Sequence, residues 1–153
     1  MNKKQKTIKS PVSISGVGLH TGKQVTLTIK PAPIDTGIKF LRTDIGSEAF
    51  LDADANFVAD TSRGTTIENN GIRVATVEHV LAAITGMDID NAVIEVDCAE
   101  TPILDGSSRY YTEAIHKAGT TEQEAFKDYF EVKHPIRLYH EEKDCEIIAL
   151  PAD

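Results

Sequence analysis

Thr65-Thr66-Ile67-Glu68-Asn69-Asn70-Gly71-Ile72-Arg73-Val74-Ala75-Thr76-Val77-Glu78-His79-Val80-Leu81-Ala82-Ala83-Ile84 contains the change of period that decides the fold. Asn70-Gly71 accepts the positive φ angles of a type I′ turn, so Thr65 to Glu68 and Ile72 to Val74 read as a hairpin. After Val74 the apolar residues Val77, Val80, Leu81 and Ile84 fall at i, i+3, i+4 and i+7, which predicts a helix from about Val77 to Thr85 with one face in the core. Thr76 suits its N-cap and Gly86 its C′ position.

Upstream, Val25 to Lys30 alternates apolar and polar residues, and Thr7 to Ile14 and Gly37 to Arg42 do so more weakly. These predict strands that pair in antiparallel sheets. Between the first two lies Ser15-Gly16-Val17-Gly18-Leu19-His20-Thr21-Gly22, whose glycines permit tight backbone and close approach by another group. Downstream, Asn91 to Val96 has few polar interruptions and reads as a central strand. Asp105-Gly106-Ser107-Ser108 turns the chain into a second helix, from about Ser108 to Lys117, with Asp105 or Ser107 as its cap and Gly119 as its stop.

Thr120 to Lys127 is polar and acidic without apolar periodicity, which predicts a connection between units. Tyr129 to Val132, Ile136 to Tyr139 and Cys145 to Leu150 then read as strands, the last two joined by a charged turn from His140 to Asp144. The fold expected is α+β: a two-layer sandwich of a mainly antiparallel sheet and two helices over residues 1–126. Residues 127–153 would be the opening strands of an incomplete second domain, because two or three strands cannot bury both faces of a new sheet.

Composition limits the function classes. The 153 residues carry 16 Lys and Arg against 24 Asp and Glu, a net charge of −8, so neither a nucleic-acid footprint nor a polybasic membrane anchor is present. No apolar run approaches membrane-spanning length and no signal-peptide core follows Lys3, Lys4 and Lys6, which predicts a cytoplasmic location. Cys98 and Cys145 are isolated in sequence and read as reduced thiols.

Glu78 and His79 share the first turn of the predicted helix. The positive end of a helix favours a carboxylate and disfavours a further positive charge on an imidazole, which suits a base beside a metal ligand. The same dipeptide also reads as a solvated helix end. Asp105 has both a turn-and-cap reading and a catalytic one, and His20 reads either as a polar turn residue or as a cleft residue.

Beyond single pairs, several ordered segments resemble UDP-3-O-acyl-N-acetylglucosamine deacetylase, the zinc amidase of lipid A biosynthesis. They are Ser15 to Gly22, Asp60-Thr61, Thr76-Val77-Glu78-His79, Asp90 to Val96 and Pro102-Ile103-Leu104-Asp105-Gly106-Ser107. The resemblance implies hydrolysis of the N-acetyl group of a UDP-linked, 3-O-acylated glucosamine with release of acetate. It implies His79 as a Zn2+ ligand, Glu78 as the general base, and His20, Thr61, Ser62, Arg63 and Gly64 as substrate-binding residues along the cleft. It also places the remaining zinc ligands, in a His-Lys-x-x-Asp helix, beyond Asp153, so the chain by itself is expected to be inactive and not to retain zinc. His116 imitates the start of that motif, but position 120 is Thr. His140 and Asp144 are four apart in a predicted hairpin turn, where that spacing does not align two side chains. Gly64 stands where some relatives carry Cys. A noncatalytic domain binding a nucleotide sugar or acyl chain is the alternative. Acyl-length preference, fusion to a second enzyme and oligomeric state are not legible in these residues.

Overall fold

The computed structural model describes residues 3–152; residues 1, 2 and 153, at the outer ends of the two predicted units, lie outside the described residues. In chain order the strands and helices are β1 (Lys4–Ile8), β2 (Val12–Val17), β3 (Gln24–Pro31), β4 (Ile38–Arg42), β5 (Phe50–Asp52), β6 (Val58–Asp60), β7 (Thr66–Asn69), β8 (Ile72–Val74), α1 (Glu78–Gly86), β9 (Ala92–Val96), α2 (Arg109–Ala118), β10 (Thr120–Phe126), β11 (Ile136–His140) and β12 (Cys145–Ala149). The architecture is the expected α+β sandwich.

Its main sheet has the order β2-β3-β9-β4-β5. The Asn91 to Val96 segment is central, as its sparse polarity predicts, with β9 antiparallel to β3 and parallel to β4. The Gly37 to Arg42 strand, expected to pair antiparallel, does so with β5 but is parallel to β9, within a sheet that is mainly antiparallel as expected. Alternation along β3 sends Val25, Leu27 and Ile29 inward, and leaves Thr26, Thr28 and Lys30 to bond Ser15, Ser13 and Glu95 on the other face. The inward set joins Ala92, Ile94 and Val96 of β9, Val80, Ala83 and Ile84 of α1, and Tyr111 and Ile115 of α2 in one core. Each Val, Leu or Ile of this set contributes roughly 1.5–3 kcal/mol by leaving water.

Three predicted segments have other boundaries or another conformation. The Thr7 to Ile14 strand is broken at Lys9 and Ser10 into β1 and β2, because Pro11 lacks an N–H and restricts the residue before it. Thr120 to Lys127 is mostly strand rather than connection: β10 pairs with β1, Lys6 opposite Glu122 and Ile8 opposite Thr120. A two-stranded edge ladder is held by backbone bonds and needs no apolar period. Tyr129 to Val132 is not a strand. The hairpin of β11 and β12 forms as expected, His140 opposite Cys145, with Leu138 and Ile147 exposed.

The turns follow the sequence more closely. Asn70 and Gly71 have φ of 51° and 78°, and β7 and β8 pair around them, Asn69 opposite Ile72. Gly119 ends α2 at φ 73°. Gly86, however, is the last residue of α1 and not its C′ glycine; the positive φ after that helix falls on Asp88, at 60°.

Candidate active site

The start of α1 is built differently from the capping predicted for it. Val77 occupies the N-cap position without a side-chain bond. Thr76 is not the cap: it is buried, has φ of 60°, and its hydroxyl donates to Glu100 Oε1 at 3.1 Å. The helix start is tied instead to the segment that leads into β7. Val77 N–H donates to the Thr65 carbonyl at 3.1 Å, and Thr65 N–H donates to Glu78 Oε2 at 2.9 Å. Glu78 is thus held by one oxygen, and its other oxygen lies 3.8 Å from His79 Nε2. Both side chains are partly open, His79 at 23% and Glu78 at 37%. A carboxylate pinned on one oxygen keeps the other available for a proton.

The glycine-rich loop closes the neighbouring wall. A Cβ at Gly16 would stand 2.9 Å from Leu104 Cδ2, and one at Gly18 would stand 2.5 Å from Glu100 Oε2, so both glycines admit the close approach that the sequence suggested. His20 N–H and Thr21 N–H each donate to Glu100, at 2.9 Å. Glu100 is only 1% exposed. Burial opposes its charge, but the N–H groups of His20 and Thr21 and the hydroxyls of Thr21 and Thr76 together hold its carboxyl below the usual range. Thr101 completes the grip on the helix start, donating its hydroxyl to the Thr76 carbonyl at 2.6 Å.

His20 reaches the segment that precedes Thr65: its Nε2 lies 3.2 Å from the Arg63 carbonyl, to which the Nε2–H tautomer donates. His20, Asp60, Arg63, Gly64 and Arg73 line a cleft of about 160 Å³. Glu78 and His79 do not line it. Gly64 connects the two, since a Cβ there would stand 3.1 Å from Glu78 Oε1. Thr61 and Ser62 are exposed on the turn after β6, where Ser62 N–H donates to Asp60 Oδ1; that bond first, and then the Ser62 hydroxyl, keeps the Asp60 carboxyl below its ordinary range.

Sequence reasoning missed Glu100 and Thr101. Neither belongs to a spaced motif, and their roles depend on Ala75 pairing with Glu100 as an isolated parallel bridge. Asp105 takes the turn reading, accepting the N–H and hydroxyl of Ser107. Ser107 in turn accepts from Arg109 N–H, while Ser108 holds the N-cap position of α2.

A model of the family described as UDP-3-O-acyl N-acetylglycosamine deacetylase, LpxC, matches residues 5–153. The chain belongs to this family. It is 46% identical over 148 residues to the bifunctional enzyme LpxC/FabZ of Bacteroides thetaiotaomicron, an alignment covering 97% of this chain and 32% of that protein. To the LpxC/FabZ enzyme of Chlorobaculum tepidum it is 45% identical, with the same coverage. To the UDP-3-O-acyl-N-acetylglucosamine deacetylase of Shewanella halifaxensis it is 46% identical, covering 94% of this chain and 47% of that protein. The chain therefore spans about a third to a half of the length of these curated relatives.

Membership raises the question of zinc, which the residues present answer only in part. His79 offers an imidazole and Glu78 a carboxylate, but among the described residues no three His, Cys, Asp or Glu side chains form a group that could hold a metal ion. A catalytic zinc takes three protein ligands, so this donor set does not fit a zinc centre unaided. His140 and Asp144 do not extend it: Asp144 is at φ 44° after the β11 strand and accepts the Tyr139 hydroxyl. Among the described residues no helix is long and apolar enough to cross a membrane.

Proposed function

We propose that this chain supplies one wall and the general base of a cytoplasmic zinc-dependent deacetylase of lipid A biosynthesis, which hydrolyses the N-acetyl group of UDP-3-O-acyl-N-acetylglucosamine. The observation that carries the reading is Glu78 beside His79 at the start of α1, with one Glu78 oxygen fixed by Thr65 and the other 3.8 Å from the imidazole, in a chain of the deacetylase family. His79 would be one of three zinc ligands, the other two coming from the length of the relatives that this chain does not span. Zinc in such a site acidifies water and polarises a carbonyl.

Glu78 takes the proton released as water adds to the amide carbonyl. The carbon–nitrogen bond then breaks, acetate leaves and the glucosamine nitrogen takes up a proton. His20, Arg63 and Gly64, with Thr61 and Ser62 on the adjoining turn, form the substrate-facing side. Residues 127–153 open a second unit whose remainder would complete the site.

The test is made in the complete enzyme. His79→Ala should weaken zinc binding and remove turnover together. Glu78→Gln keeps the side chain's shape but cannot accept a proton, so it should lower turnover by roughly 10²- to 10⁴-fold while zinc and substrate still bind. Full activity in Glu78→Gln would reject the base. Unchanged zinc content in His79→Ala would reject the ligand, and would favour a noncatalytic binding domain if turnover were absent from the parent as well.

A further inference from the structure

Loop 18–21 and the start of α1 are remote in sequence, yet one buried side chain bonds both. Glu100 Oε1 receives His20 N–H at 2.9 Å and the Thr76 hydroxyl at 3.1 Å, and Oε2 receives Thr21 N–H at 2.9 Å. The two segments meet again on the far side through residues 63–65, where His20 reaches the Arg63 carbonyl and Glu78 accepts Thr65 N–H. The result is a closed circuit in which the carboxylate is the only acceptor shared by the loop and the turn among the described residues. Gly18 leaves no room for a side chain between them, since its Cβ would collide with Thr21 Oγ1 as well as Glu100.

Building on the reading of this loop as substrate-facing, we infer that Glu100 is a positioning residue that fixes the His20 loop against the Thr76 turn, so that the substrate wall and the Glu78–His79 pair are registered by one carboxylate. It touches no reacting atom. A Gln at this position could still accept the Thr76 hydroxyl and the His20 N–H, which share Oε1, through its carbonyl oxygen, but its amide would face the Thr21 N–H donor. The loop side of the circuit therefore fails first.

The test has two independent arms. In the 153-residue chain, Glu100→Gln should reduce hydrogen-exchange protection of the Thr21 amide by about tenfold, the scale of a lost charge-assisted bond, while Leu27 and Ile94 amides keep theirs. Unchanged protection at Thr21 overturns the inference. Should the variant not fold, scalar couplings across the hydrogen bonds, from the His20 and Thr21 nitrogens to the Glu100 carboxyl carbon, are measured in the parent chain; their absence overturns it equally. In the complete enzyme, Glu100→Gln should raise KM by about tenfold and leave kcat within about threefold, whereas a fall in kcat at constant KM would remove the loop from the role. If the parent enzyme shows no deacetylation, the proposed function fails, and the exchange arm still decides whether Glu100 sets the loop.

Discussion

The Thr101 hydroxyl donates to the Thr76 carbonyl over 2.6 Å, and both residues are buried. Thr76 has φ of 60°, an uncommon conformation for a β-branched residue. The bond holds that turn immediately before Glu78. Replacing Thr101 with Val preserves shape but leaves a buried carbonyl without its donor, so unfolding free energy should fall by roughly 1–3 kcal/mol. A urea midpoint equal to the parent's would show that the carbonyl finds another partner.

Two glycines should respond to alanine in opposite directions. Gly71 sits at φ 78° with open space around its missing Cβ, so Gly71→Ala brings left-handed strain alone and should cost roughly 1–2 kcal/mol. Gly86 lies inside the last turn of α1 without a positive φ, and its Cβ also would meet nothing. Gly86→Ala should stabilise by roughly 0.4–1 kcal/mol. Paired thermal melts check both signs, and a destabilised Gly86→Ala would restore Gly86 to the C′ role that its place after the apolar period suggested.

Lys127 gives stability a pH dependence. Its ammonium lies 2.8 Å from Asp88 and 2.9 Å from Asp90, with only 10% of the side chain exposed. Burial pushes its pKa down, but the two carboxylates more than reverse this and raise it. For Asp88, the bond from Lys127 and then that from Lys6 hold the carboxyl below its ordinary range. The ion pair's contribution is therefore complete above the ordinary carboxylate range, near pH 4, and is lost as pH falls through the lowered Asp88 pKa; on the alkaline side it goes only above the ordinary Lys value. Lys127→Met should cost about 1 kcal/mol at neutral pH, small because Asp88 is half exposed and screened. The gap between variant and parent should close in acid. Denaturant curves from pH 2 to 7 measure it, and a constant gap would assign the loss to packing of the lysine stem.

The 153-residue chain should not retain zinc stoichiometrically, since one imidazole is too few ligands for tight binding. Metal analysis after dialysis against a mild chelator reads this directly. One tight equivalent per chain would mean that a second donor joins His79. The same material should show no turnover of the UDP-linked substrate, because Glu78 would have no activated water to deprotonate.

Period and turn chemistry are local, and that is why much of this chain is legible in its sequence. The Asn70-Gly71 hairpin, the inward face of Val25, Leu27 and Ile29, the central place of Asn91 to Val96 and the adjacency of Glu78 and His79 each depend on residues within one or two turns or strands of each other. Tertiary structure decided what depends on long-range partners. β10 has no apolar pattern and is a strand because β1 offers a free edge. Thr76 is composed like an N-cap, yet Glu100 and Thr101, reached through the Ala75 bridge, turn its hydroxyl and carbonyl away from the helix. Glu100 itself looks like an ordinary surface carboxylate in sequence. It is buried and charged because two loop amides and two threonine hydroxyls converge on it, and such convergence exists only after strands distant along the chain have paired.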